Sequence, residues 1–294
     1  MAAAAMAAVC AAAAVGASGC GATSVIDPVA RAAVVSNQAA GMRMNMTMRL
    51  TSSALPTPIL MTGEGVFRMP DHTGSFALAM HLPPQLVAVV GSDTLRISEL
   101  LDGTTIYLRL PQALLGHSAA AGRPWLKINL TQAAGAAGVP GLSGLLTNPA
   151  STDPTQLLRY LRATGAAVTR VGTGTVDGVP STHYRAQINL DRVPDAFPAA
   201  SRDQVRQAVA SLERIAHIRV LPVSVWIDGH QLVRRMQIAY RETVVGQALG
   251  VVMTLDFPQY GPQPALVFPP ASQVTNVTRY ATGSTRPGPF GTAP

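Results

Sequence analysis

From Met42 to Leu50 apolar and polar residues alternate without a break: Met-Arg-Met-Asn-Met-Thr-Met-Arg-Leu. A period of two puts Met42, Met44, Met46, Met48 and Leu50 on one face of a strand and leaves the polar residues on the other. The same pattern recurs along the chain. Thr57 to Met69 follows a Pro-rich turn, and Gly63 and Gly65 inside it suggest a bend or bulge. Thr73 to Leu82 alternates Phe76, Leu78, Met80 and Leu82 with small or polar residues. Thr94 to Leu100 and Thr104 to Leu110 flank Asp102-Gly103, a hairpin dipeptide, and Trp125 to Leu130 is a further short strand.

The middle of the chain changes character. Residues 131–150 are rich in Gly, Ala and Leu and read as a mobile loop with a helical turn. Asp153-Pro154 then opens a helix: Asp153 can accept backbone N–H bonds, and Pro154 suits the first helical position. Leu157, Leu158 and Leu161 form its apolar face and Gly165 ends it. Val168 to Val176 and Ser181 to Leu190 form a hairpin around Asp177-Gly178. Ser201 to His217 is a second helix, capped by Ser201, with Val205, Ala208, Val209, Leu212 and Ile215 on one side. Pro222 to Asp228, Gln231 to Glu242 and Leu249 to Phe257 close the body as three strands, the first turn being Asp228-Gly229.

These elements make an α+β protein: about ten strands in a large antiparallel sheet, with helices on its greasy face and no βαβ alternation. The expected division is a leader over residues 1–19, a tether over 20–40 with a helix from Val29, one domain over 41–278 and a disordered tail over 279–294.

The first twenty residues are an address. MAAAAMAAVCAAAAVGASGC is an Ala-rich apolar run, then small residues, then cysteine. It reads as a bacterial lipoprotein signal with the lipobox Ala17-Ser18-Gly19-Cys20. Small residues admit the processing peptidase, and the Cys20 thiol accepts a diacylglyceryl group as a thioether. Ala17 stands where Leu is usual, and no Lys or Arg precedes the apolar run. A start codon assigned too far downstream would account for the second departure. The alternatives are an ordinary signal peptide cut near Ala17 and a disordered Ala-rich tail.

Composition narrows the function. The chain of 294 residues is 48% hydrophobic and 13% charged, too apolar for a disordered protein. Its net charge of +7 reflects few acids. The arginines are scattered, which does not make a nucleic-acid patch. Cys10 and Cys20 are its two cysteines, so the body holds no disulfide, Cys-ligated zinc or thiol nucleophile.

Candidate chemistry is sparse. His72, His81, His117, His183, His217 and His230 show no metal-ligand spacing, and His183 beside Arg185 reads as a cross-strand pairing residue. Ser143 in GLSGL lacks the glycine arrangement of a nucleophile elbow. Gly172 to Gly178 misses the dinucleotide fingerprint by one position and leads to a turn. Arg234-Arg235 is a basic pair on opposite faces of a strand, one of the two solvated and open to a lipid headgroup. Nothing here makes a case for an enzyme or a cofactor.

Three pieces carry a resemblance: DPTQLLRYLRATG, VDGVPSTHYRAQINL and LPVSVWIDGHQLVRRM. With the lipobox, they resemble actinobacterial lipoproteins of the LppX/LprAFG type, similar in fold to the LolA/LolB carriers. The resemblance covers most of residues 42–277 and is most specific in the C-terminal half. It implies a half β-barrel whose concave side, covered by helices, holds an apolar cavity for acyl chains. The residues expected to line it are Met44, Met46, Met48, Phe67, Phe76, Leu78, Met80, Leu108, Leu158, Leu161, Val209, Leu212, Val225, Met236, Ile238, Val251 and Met253. Methionine suits such a wall because it is unbranched and polarizable. The implied protein carries or presents a lipid or glycolipid at the extracytoplasmic face of the cell membrane, anchored there through lipidated Cys20, without catalysis and without nucleic acid. The alternative is an envelope sensor or scaffold of the same fold that binds a protein partner and has no ligand cavity.

Overall fold

The computed structural model describes residues 26–111, 123–129, 132, 168–196, 199–216, 218–244 and 247–278. The first element is the helix α1 (Ile26–Asn37). Val29, Ala32, Ala33 and Ser36 fall at the i, i+3, i+4, i+7 positions of one helix face, and all are at most 1% exposed. Within the segment read as a tether, α1 therefore packs into the core.

The methionine alternation forms β1 (Gly41–Ser52). After it come β2 (Ile59–Arg68), β3 (Thr73–His81), a short helix α2 (Pro84–Val90), β4 (Thr94–Asp102), β5 (Thr105–Arg109) and β6 (Trp125–Asn129). The second half supplies β7 (Val168–Val176), β8 (Val179–Asn189), a 3-10 turn (Leu190–Ala196), the helix α3 (Ala199–Ala216), β9 (Val220–Asp228), β10 (Val233–Val244), β11 (Gln247–Tyr260) and β12 (Val274–Asn276). The twelve strands form one open sheet in the order β12-β6-β5-β4-β3-β2-β1-β11-β10-β9-β8-β7. β1 to β6 run outward as one antiparallel meander and β7 to β11 as another, and the β1–β11 pairing joins them. β12 alone pairs parallel, along β6. The sheet is not closed, as a half-barrel requires.

Hairpin chemistry sets the registers. Asp177 and Gly178, with φ of 48° and 79°, are the two residues between β7 and β8. Two consecutive positive φ values make the type I′ geometry that matches strand twist, and Asp-Gly is a preferred pair for it. The β9–β10 connection is not the tight Asp228-Gly229 turn expected. It runs through four residues, with Gln231 at φ 62°. The Asp228 carboxylate organises it by accepting from the backbone N–H groups of His230 at 2.8 Å and Leu232 at 2.9 Å. Nor do Gly63 and Gly65 mark a bulge, since β2 pairs with β1 and β3 without a register shift. α3 starts at Ala199, which puts Ser201 in the first turn rather than at the cap.

The described helices α1 and α3 pack on one part of the inner face. α1 packs on β9 and β10, and α3 packs on β10 and the 3-10 turn. Beneath them Met42, Val223, Val225, Val233, Met236, Ile188 and Phe257 are at most 2% exposed. Ser36 Oγ accepts a hydrogen bond from the Val233 backbone N–H at 3.1 Å, which satisfies two polar groups inside this core. The helix expected over residues 153–165, the loop before it and the tail from Tyr280 lie outside the described residues. No described helix is long and apolar enough to cross a membrane.

Candidate ligand-binding face

Strand pairing aligns the inner-face residues into rows across the sheet. One row runs Ile97, Leu78, Gly63, Met46, Leu255, Met236, Val225. The next runs Leu95, Met80, Met61, Met48, Met253, Ile238, Val223. On the other side lie Leu108, Glu99, Phe76, Gly65 and Met44. Every expected wall residue on a strand occupies this one face: Met44, Met46, Met48, Phe67, Phe76, Leu78, Met80, Leu108, Val225, Met236, Ile238, Val251 and Met253. Val209 on α3 packs in the same core. Leu212 lies in α3, while Leu158, Leu161 and Cys20 lie outside the described residues.

The face divides by burial. Met44, Val209, Val225, Met236 and Val251 are buried, the first four within the helix-covered core. Met46, Met48, Phe67, Phe76, Leu78, Met80, Leu108, Ile238 and Met253 are only half-buried. An apolar side chain that keeps part of its surface can gain by covering it with a ligand, at about 25 cal/mol per Å². A buried one has little left to gain.

Two glycines shape the half-buried part. A Cβ on Gly63 would stand 2.7 Å from the Phe76 ring, and one on Gly65 would stand 2.4 Å from it. The ring of Phe76 thus lies flat across two glycines of β2. Phe67 does the same over Gly74, where a Cβ would stand 2.8 Å away. The inner face is smoothed by rings laid over bare backbone.

Sequence reasoning missed Glu99. It falls in phase with Leu95, Ile97 and Leu101, so it faces inward between Phe76 and Leu108. Burial pushes its carboxyl pKa above the usual range. The signal was present, as a single charged residue in step with an apolar series. Tyr240 is the other inner-face group shifted this way, its phenol pKa raised by burial.

The outer face is polar. His183 stacks on Trp226 with ring centroids 4.1 Å apart and planes within 2°, and the Arg235 guanidinium lies 6.0 Å from the same indole. His183 is thus a cross-strand residue, with an aromatic partner. Neither arginine of the basic pair is simply solvated: Arg234 binds Asp228 at 2.7 Å, and Arg235 binds Asp256 at 2.5 and 3.0 Å. A depression of about 550 Å³ on this side is lined by alternate residues such as Asn45, Thr47, Thr62, Ala79 and Arg96. A smaller one of about 300 Å³ adds Arg43 and Ser75. A third, of about 510 Å³, lies near the β10–β11 hairpin, among Thr51, Ser53 and Arg241. No cluster of metal-ligating side chains occurs among the described residues.

Burial, and then the Arg185 charge, lower the His183 imidazole pKa below its usual 6.5. The unfolded chain therefore takes up this proton first. Stability is expected to fall as pH drops below about 6.5 and to level off below the folded pKa. His183→Gln should flatten that slope in urea titrations at stepped pH. An unchanged slope would show that His183 does not couple to folding.

No family model matches the chain, and no curated protein matches it in sequence. Solved structures do. The chain is similar in structure to mycobacterial lipoproteins. Lipoprotein LppX of Mycobacterium tuberculosis is 13% identical, covering 83% of this chain and 97% of that one, with a TM-score of 0.42. LprF of Mycobacterium bovis is 11% identical, covering 83% and 96%, with a TM-score of 0.44. A LolA superfamily protein of Nitrosomonas europaea is 8% identical, covering 82% and 94%, with a TM-score of 0.29.

Proposed function

We propose that this protein is a cell-envelope lipoprotein that holds lipid acyl chains against the inner face of its sheet and carries or presents them. The observation that carries the reading is the division of that face. The core beneath α1 and α3 buries Met44, Val225 and Met236, whereas Met46, Phe76, Leu78, Met80 and Leu108, with Ile238 and Met253 on β10 and β11, are only half-buried. Each methylene buried there is worth about 0.8 kcal/mol, so an acyl chain binds without polar recognition.

Cys20 is the proposed anchor, carrying a diacylglyceryl thioether whose two chains suffice for stable attachment. That places the folded body at the extracytoplasmic face of the membrane, a few residues from the bilayer, because α1 begins at Ile26. Cys20→Ala should move the protein from the membrane to the soluble fraction without changing its melting temperature. A variant that stays with the membrane would overturn the anchor.

Adjacent residues of β1 test the binding face. Met46 is half-buried on the inner side and Thr47 is exposed on the outer side. Met46→Arg should abolish saturable uptake of a fluorescent phospholipid, with folding checked by circular dichroism. Thr47→Arg should leave uptake unchanged. Equal uptake by both variants would remove the inner face as the site and favour a scaffold that binds a protein partner.

A further inference from the structure

Between Phe76 and Leu108, in the middle of the half-buried apolar face, stands the carboxyl group of Glu99. Among the described positions of β1 to β6 it is the one charged residue on that face. The cross-strand neighbours there are Met, Leu, Ile, Phe and Gly throughout. Among the described residues of β1 to β6 no arginine, lysine or histidine shares it, because Arg43, Arg49, Arg68, His81, Arg96, Arg109 and Lys127 all fall on the alternate, outward positions. Burial shifts its titration upward, and no hydrogen bond or ion pair to it occurs among the described residues. Glu99 is half-buried, so its carboxyl costs stability to the extent that the apolar face keeps water from it, and a bound polar group would relieve that cost.

We propose that Glu99 is the polar contact for the bound lipid and restricts it to lipids whose buried polar part is uncharged, the class of diacylglycerols. This rests on the lipid-binding reading above and adds the headgroup class to it. The Glu99 carboxylate accepts a hydrogen bond from a glycerol hydroxyl. A phosphodiester in the same place would meet a like charge, with no cation among the described residues of that face to offset it.

The free protein should record the cost. A carboxyl whose pKa is raised on folding lowers stability as pH climbs from about 4.5 to the folded pKa, and the loss persists above it. No other titratable residue faces Glu99 from β3 or β5, where Phe76 and Leu108 are its partners. Lipid-free Glu99→Gln should therefore melt at a higher temperature than the parent at pH 7, and the gap should close near pH 4.

The deciding experiment offers the delipidated full-length protein equal amounts of dioleoylglycerol and dioleoylphosphatidylglycerol and counts bound lipid by native mass spectrometry. The parent should prefer dioleoylglycerol by about tenfold, the scale of one well-made buried hydrogen bond. Glu99→Gln, which keeps hydrogen-bonding capacity, should retain dioleoylglycerol. Glu99→Leu should lose most of the preference. Uptake of both lipids in one ratio by all three proteins overturns the role of Glu99 and leaves the lipid-binding reading standing. A parent that prefers the anionic lipid overturns the headgroup class. No uptake of either lipid by the parent overturns both readings together.

Discussion

Replacing Asp228 by alanine is expected to destabilise the protein by about 3–5 kcal/mol, the cost of leaving a buried ion without its partner. The Asp228 side chain is 1% exposed and that of Arg234 is 15% exposed. One carboxylate oxygen accepts from the His230 and Leu232 N–H groups, the other from Arg234 Nε at 2.7 Å. Arg234 also donates to the carbonyls of Phe257 and Pro258 and lies 5.5 Å from the Tyr260 ring. Tyr260 in turn donates its hydroxyl to the Val233 carbonyl at 2.6 Å. One carboxylate therefore holds the β9–β10 connection and ties it to the bulged end of β11. Removing it strands a guanidinium and two backbone donors. Asp228→Asn keeps an acceptor for the N–H groups and should cost less. Urea denaturation measures both, and a loss below about 1 kcal/mol for the alanine variant would show the tie to be dispensable.

Gly65→Val is expected to cost at least the 1–3 kcal/mol typical of overpacking. An added Cβ would stand 2.4 Å from the Phe76 ring and 2.5 Å from the Ser75 carbonyl oxygen. A ring can rotate away, but the carbonyl belongs to the paired strand, so β2 and β3 must part. The displaced Phe76 would then crowd the half-buried face, and lipid uptake should fall with stability. Gly172→Val on β7 is the control, since a Cβ there meets nothing within 4 Å. That change should stay within about 0.5 kcal/mol. Equal melting temperatures for the two variants would contradict the packing of Phe76 over the glycines.

Much of the sheet was legible because strand periodicity is local. Met42 to Leu50 declares both its conformation and its buried side, and Asp177-Gly178 declares its turn. Eleven of the strands could be read this way. β12 could not, because three residues carry no period and their parallel partner β6 is remote in sequence. The seven residues of α2 are too short to show a helical stripe. Gly63 and Gly65 were misread because their cause lies on β3, in the ring of Phe76. Asp228 looked like half of a turn dipeptide, and its real role depends on Arg234, whose charge pattern alone suggested solvent. The wall residues were legible as a face. Their division into buried and half-buried positions was not, since it depends on where α1 and α3 dock. Glu99 was visible as a break in an apolar series and gained meaning only when register placed it between Phe76 and Leu108.

The central claim is that the inner face holds lipid. Native mass spectrometry of the full-length protein, extracted from its membrane under mild conditions, tests it most directly. The account predicts a covalent diacylglyceryl mass on Cys20 and, in addition, a non-covalent lipid adduct that is lost on activation and regained when dioleoylglycerol is added back. A bare polypeptide that takes up no added lipid would contradict it.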